Sequence, residues 1–314
     1  MIRMRAALAI VAGVAFLGLA ADARAFCRTT TVAVAPDFQP TPTKCWDQGH
    51  PLFWRNSCVG YNVQRNASRQ VSFEDAANGL SAAFAKWSGS SCPTDGTGRS
   101  RVSIDIRDLG PVDCGDVNYN LNGPNQNVIV FRDSNWPHEG TSNTLALTTV
   151  TFSPDTGEIY DADMEINTFD QRVTLTDPVP PDGYDFASIV THEAGHFLGL
   201  AHSGDNRATM YSSYSPGATA MRNLTSDDVA GICTVYRPDG KREVLDEKVT
   251  AGTQCDPSPR RGLTNECAES TKKSCTGSST VAASSPAGRA MPGWLGLSAA
   301  LLGMLMWRKR RTRE

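Results

Sequence analysis

Residues 191–203 read THEAGHFLGLAHS, and three of the chain's five histidines lie there, at His192, His196 and His202. On an α-helix His192 and His196 fall four apart, on one face and one turn above each other. Two imidazoles at that spacing can bind one Zn²⁺ at about 2.0–2.1 Å each. Glu193 points off that axis and suits a general base that takes a proton from metal-bound water. A third ligand cannot continue the helix, because the next turn would point past the metal. Gly199 supplies a break, since glycine enters the left-handed region freely, and His202 then approaches from another direction.

The elements that must hold these residues are legible between about Phe26 and Arg237. CVGYNV (58–63) is a short strand. SFEDAANGLSAAFAKWS (72–88) is a helix with Ser72 and Asp75 as cap candidates and Phe73, Ala76, Ala77, Leu80, Ala83, Phe84 and Trp87 at helical spacing. RVSIDI (101–106), NVIVF (127–131) and TLALTTVTF (144–152) are β-branched runs between turn signals, and TGEIYDADMEIN (156–167) follows as a further strand. Asp185 opens the histidine-bearing helix, and SDDVAGICTVY (226–236) closes the body as an amphipathic helix. The expectation is an α+β fold: a mixed, twisted sheet with a backing helix and an active-site helix.

The ends differ from this body. MIRMRAALAIVAGVAFLGLAADARA combines Arg3 and Arg5, an apolar run and an A-x-A site, so residues 1–25 read as a secretory signal. Nine scattered cysteines then suit an exported chain with disulfides and one thiol left over. Residues 238–290 shift to Ser, Thr, Pro and Gly and read as a linker or stalk. From Met291 to Trp307 an uncharged run precedes Arg308, Lys309, Arg310 and Arg311; it reaches the lower length for spanning a bilayer, with a basic cluster that would stay cytoplasmic. The other reading is a buried terminal helix. This tail (291–314) resembles the tripartite sorting tails of bacterial surface proteins, with Cys275 as a candidate modification site. Membrane contact is expected through it unless it is cut. The formal net charge is −3; setting aside the signal (three Arg, one Asp) and the last seven residues (five basic, one Glu), 22 basic and 31 acidic side chains remain, a net of −9. Such a body carries no electrostatic footprint for nucleic acid.

His192 to His202 spell H-E-x-x-H-x-x-G-x-x-H, and the pattern is similar to the metzincin form of the zincin motif. With Ser203 after the third histidine, HEAGHFLGLAHS resembles the matrixins, the matrix metalloproteinase family. NVQRNASRQVSFEDAANGLSAAFAKWS, HSGDNRATMY and LTSDDVAGICTVY extend the resemblance over roughly Cys58 to Tyr236. It implies a monomeric zinc endopeptidase acting on protein or peptide, with His192, His196 and His202 on one catalytic zinc, Glu193 as base and Met210 in the Met-turn. It implies that TLALTTVTF forms an open rim where extended substrate pairs. YSSYSPGATAMRNL would wall the pocket for the side chain after the scissile bond, where Tyr211 and Tyr214 are either pocket or packing residues.

Departures from the family pattern are as clear. Outside the motif only His50 and His138 remain, so a second, structural zinc site of three histidines and an aspartate cannot be complete; Thr148 and Thr149 stand in the strand where one ligand would lie. Asp161, Asp163 and Glu165 are candidate calcium ligands, although strand-end carboxylates on a solvated face are the favoured reading. DCGDVNYNLNGPNQN reads as a surface loop. No long propeptide or Pro-Arg-Cys-Gly-Val switch occurs; Cys27 either blocks zinc as a thiolate or, as favoured, joins a disulfide. Asp227 and Asp228 match an aspartate pair that receives the mature N-terminus, and they also suit the first turn of their helix. Competing function classes are a non-catalytic surface adhesin on the same fold and a zinc hydrolase of a non-peptide bond. The intact Glu193 argues against the first.

Overall fold

The computed structural model describes residues 25–264, apart from 95–97, 114, 116 and 139–142, together with the backbone of 277–284. The residues before Ala25 that read as a signal, Cys275 and the tail 291–314 lie outside the described residues. Among the described residues no helix is long and apolar enough to cross a membrane.

Six strands form the main sheet: β1 (Cys58–Gln64), β2 (Asp105–Val112), β3 (Val128–Phe131), β4 (Thr144–Phe152), β5 (Ile159–Ile166) and β6 (Gly277–Ser284). Their order is β6-β4-β5-β3-β1-β2. β5, β3, β1 and β2 run parallel, while β4 is antiparallel to both β5 and β6. Parallel neighbours require a crossover, and α1 (Phe73–Ser88) makes the one from β1 to β2. Ser72 caps it by accepting from the Asp75 N–H, and Ala76, Leu80, Ala83, Phe84 and Trp87 form its buried stripe. Two further helices follow, α2 (Phe186–Phe197) and α3 (Ser226–Val235). α1 lies over β1 and β2, α2 over β4, β5 and β6, and the two helices pack on each other. The Trp87 indole N–H donates to the Thr191 carbonyl at 2.8 Å, which fixes one helix against the other. This is the mixed sheet with backing and active-site helices that the sequence pattern predicts.

Two expectations need correction. The run 101–106 is not one strand: residues 99–101 pair with 91–93 in a small hairpin, and β2 begins only at Asp105. Val102 and Ile104 are buried at the corner between them, so apolar character there reflects a packed bend. The chain also does not leave the body at Pro238. Residues 241–243 pair with 249–251, Cys255 is bonded to Cys58, and Arg242 is wholly buried. The Arg242 guanidinium donates to the carbonyls of Trp54, Asn56 and Ser103 and lies over the Tyr236 ring, which supplies the partners a buried cation demands. Composition alone reads this stretch as a stalk because the anchors Arg242 and Cys255 are a charged side chain and a cysteine rather than a run of apolar residues.

Disulfides join Cys27 to Cys45, Cys58 to Cys255 and Cys92 to Cys233. The favoured disulfide reading of Cys27 therefore replaces the thiolate one.

Candidate metal centre

α2 opens at Asp185, whose carboxylate accepts from the Ser188 N–H and hydroxyl and is bridged by Arg222 at 2.9 Å. The helix is buried nearly all round, so its polar side chains must be satisfied from within. His192 Nδ1 lies 2.6 Å from the Thr209 carbonyl and His196 Nδ1 lies 2.9 Å from the Leu200 carbonyl. A carbonyl only accepts, so each Nδ1 carries the proton and each Nε2 presents a lone pair. Those two Nε2 atoms face each other at 3.0 Å. Burial pushes His192 down to about 4, and it holds His196 well below its usual range, with His192 and His202 adding to the effect. Two converging lone pairs on neutral rings repel unless a cation stands between them.

His202 completes the group: ligand atoms of His192, His196 and His202 all lie within 4.8 Å of one another. Its approach is set by the chain reversal at Gly199, which sits at φ +89°, where an added Cβ would meet the Leu52 carbonyl oxygen at 2.7 Å. Residues 200–201 then pair with Cys27–Arg28. Three imidazoles, His192 and His196 buried and neutral and His202 half-buried, are the donor chemistry of a catalytic zinc site.

Beneath the histidines, Met210 is buried, and a Cβ on Gly195 would stand 2.2 Å from its sulfur. The helix can therefore rest on the thioether only because residue 195 is glycine. The Met210 turn is itself held by Asp228, whose carboxylate accepts from the N–H groups of Thr209, Met210 and Thr225. The turn thus places the Thr209 carbonyl that orients His192. Sequence reading missed this role for Asp228; an aspartate beside a helix cap gives no sign of a target 18 residues back. Its neighbour Asp227 accepts from the N–H groups of Ala25 and Phe26, both at 2.9 Å.

Glu193 is buried beside its two histidine neighbours, and the Thr148 hydroxyl donates to its Oε2 at 2.6 Å. Thr148 lies in β4, so that strand fixes the carboxylate. The rim is not the open edge that the family resemblance implies. β6 covers it with the register Gly277↔Phe152, Thr280↔Thr149, Val281↔Thr148 and Ala282↔Leu147. Small residues such as GSSTVAAS signal a linker by composition, yet they form a strand where an edge offers a partner.

Tyr214 is buried, its hydroxyl donates to the Ala218 carbonyl, and burial pushes it up to about 12. Tyr211 is half-buried against the core. Both hold the segment that follows Met210 in shape.

Asp161, Asp163 and Glu165 share one face of β5, as alternation requires, but that face is not solvated. They are 2%, 3% and 1% exposed. β3 and the segment after it close on them: Asp163 accepts from the Val128 N–H, and Glu165 binds Arg132 at 2.6 Å and His138 at 2.8 Å. Among the described residues, the histidine trio is the group of potential metal ligands that converges, and these carboxylates do not.

The matrixin family model matches residues 53–237. Over 107 residues the chain is 39% identical to human matrilysin, covering 34% of this chain and 36% of that protein. It is 30% identical over 191 residues to human neutrophil collagenase, covering 60% and 34%. It is 37% identical over 105 residues to metalloendoproteinase 1-MMP of Arabidopsis thaliana, covering 33% and 27%. The chain thus spans about a third of the length of these curated relatives. The matched stretch carries both the sheet and the histidine-bearing helix, and it is more than half of the chain: this protein belongs to the matrixin family.

Proposed function

We propose that this protein is an exported zinc-dependent endopeptidase, with Glu193 as its general base and His192, His196 and His202 as its metal ligands. One observation carries the reading: a buried carboxylate, pinned by Thr148, stands beside three imidazoles whose ligand atoms converge within 4.8 Å. A site that only held structural metal would need no such base. Bound Zn²⁺ would supply a Lewis acid and a water acidified to a pKa of about 7.

The chain's residues do the rest. The Thr209 and Leu200 carbonyls keep His192 and His196 in the tautomer that points Nε2 inward. Glu193 accepts the proton of the attacking water and returns it to the leaving amine, and Thr148 keeps the carboxylate aimed. The edge of β4 that β6 occupies in this structure is where an extended peptide would pair by main-chain hydrogen bonds. Export is supported by the signal sequence and the three disulfides; tethering is supported by the apolar tail with its Arg cluster. The test is cleavage of a broad peptide library by the purified chain. Expected are loss of cleavage on chelation, recovery with Zn²⁺, and a fall of about 10²–10⁴-fold in Glu193→Ala. Full cleavage by Glu193→Ala would end the assignment.

A further inference from the structure

The β4 edge beside α2 is where an extended peptide would join the sheet, and the chain's own residues fill it. Gly277–Ser284 pairs antiparallel with β4 along the whole strand, with one register shift between Ala283 and Ser284. β6 also comes within 8 Å of α2, Cα to Cα. Neighbouring strands run about 4.8 Å apart, so the backbone at Val281 passes one strand spacing from Thr148. Thr148 is the residue whose hydroxyl holds the Glu193 carboxylate. The sequence GSSTVAAS contains no histidine, cysteine or acid that could occupy the open coordination position of a metal, and no proline. What lies along this edge is an ordinary peptide, paired as an added antiparallel strand.

We propose that β6 is this protein's own substrate: the chain hydrolyses a peptide bond flanking Val281, which severs the body from the apolar segment 291–307 and the Arg cluster behind it. The inference rests on the endopeptidase reading above. Water adds its oxygen to the carbonyl carbon while its proton passes to Glu193. The C–N bond then breaks, and Glu193 delivers that proton to the leaving nitrogen. The products are a new carboxylate and a new amine, and water is the only reactant consumed. Because the strand belongs to the same molecule, the reaction is first order in protein.

The full-length chain is purified as wild type and as Glu193→Ala, and intact masses are followed over time at two protein concentrations. Wild type is expected to acquire a new C-terminus at Thr280 or Val281 at a concentration-independent rate, and Glu193→Ala is expected to stay whole there. Docking is read separately, without catalysis, by amide hydrogen exchange in the uncleaved Glu193→Ala chain. Adding Thr280→Pro and Val281→Pro removes one ladder donor whichever way the register falls, because successive strand N–H groups point to opposite sides. Exchange in residues 144–152 is expected to rise at least about tenfold. The protection remaining in α1 and α2 reports that the variant is folded. A wild type that cuts unrelated peptides but keeps 277–284 whole overturns the proposal and leaves the endopeptidase standing. A chain that cuts nothing overturns the endopeptidase reading instead. Equal exchange in both variants overturns the docking on its own.

Discussion

The two faces of the central sheet each carry a trio of side chains of metal-binding type, and they meet opposite fates. On the helix-covered face, His192 and His196 are neutral, each with Nδ1 taken by a backbone carbonyl, and together with His202 their ligand atoms gather at one point. On the other face, Asp161, Asp163 and Glu165 are negative in type; an arginine and a histidine meet Glu165, a backbone N–H meets Asp163, and Asp161 shares a hydrogen bond with Asp163. Ligand chemistry in a sequence therefore says less than the second hydrogen bond of each ligand. A donor whose far side is anchored and whose near side is bare awaits a cation; a carboxylate already engaged by Arg132 has one.

Four measurements would break or sharpen that contrast. The largest effect belongs to His202→Ala: zinc retained through dialysis should fall from one equivalent toward none, and cleavage should drop to the chelated baseline. Retention of a full equivalent would shift the metal elsewhere. Next, Arg132→Met leaves Glu165 buried without its cation, and the loss in unfolding free energy should be about 3 kcal/mol, reduced somewhat by His138. A neutral result in urea titration would mean that the carboxylate face needs no internal cation. Third, Thr148→Val removes a hydrogen bond to a charged group, which is worth about 1.5–3 kcal/mol; kcat should fall by about 10- to 100-fold with KM unchanged. A rise in KM alone would make Thr148 a binding residue.

The smallest effect is a pH slope. Burial pushes Asp161 up to about 7 and raises Asp163 well above its usual range, where Asp161 adds to the shift. The folded state thus holds these protons more tightly than the unfolded chain does. Stability from the pair is full below about pH 4 and is lost as pH rises toward 7. Asp161→Asn should flatten that decline, by at most about 1.4 kcal/mol per pH unit. An identical slope in variant and wild type would place both protons elsewhere.

How far the sequence carried the reading follows from distance along the chain. The metal trio, its glutamate and the Gly199 reversal occupy one local stretch with helical spacing, so both their geometry and their chemistry are written there. α1 and α2 announce themselves through Ser72 and Asp185 at their starts and apolar periodicity within. Hidden from such a reading are the long-range answers to buried polarity: Asp228 holding the Met210 turn, Arg242 beneath Trp54, and Arg132 against Glu165. Each partner is a backbone group or a distant side chain, and neither leaves a pattern. The alternation of Asp161, Asp163 and Glu165 showed that they share a face, but not which loops would cover it. The covering of β4 was least visible, because strand formation by GSSTVAAS depends on the edge it meets.

The segment before β6 is fastened late. Cys255 is tied to Cys58, Leu263 bridges to Asn125, and the Thr264 N–H donates to the Asn125 carbonyl. From Thr264 the chain can reach at most about 45 Å before Gly277. A leash so short keeps β6 near its docking edge at an effective concentration of about a millimolar. A foreign peptide of equal affinity at micromolar abundance would lose that contest by about a thousandfold, so turnover of other proteins should begin with a lag that ends when β6 itself is cut.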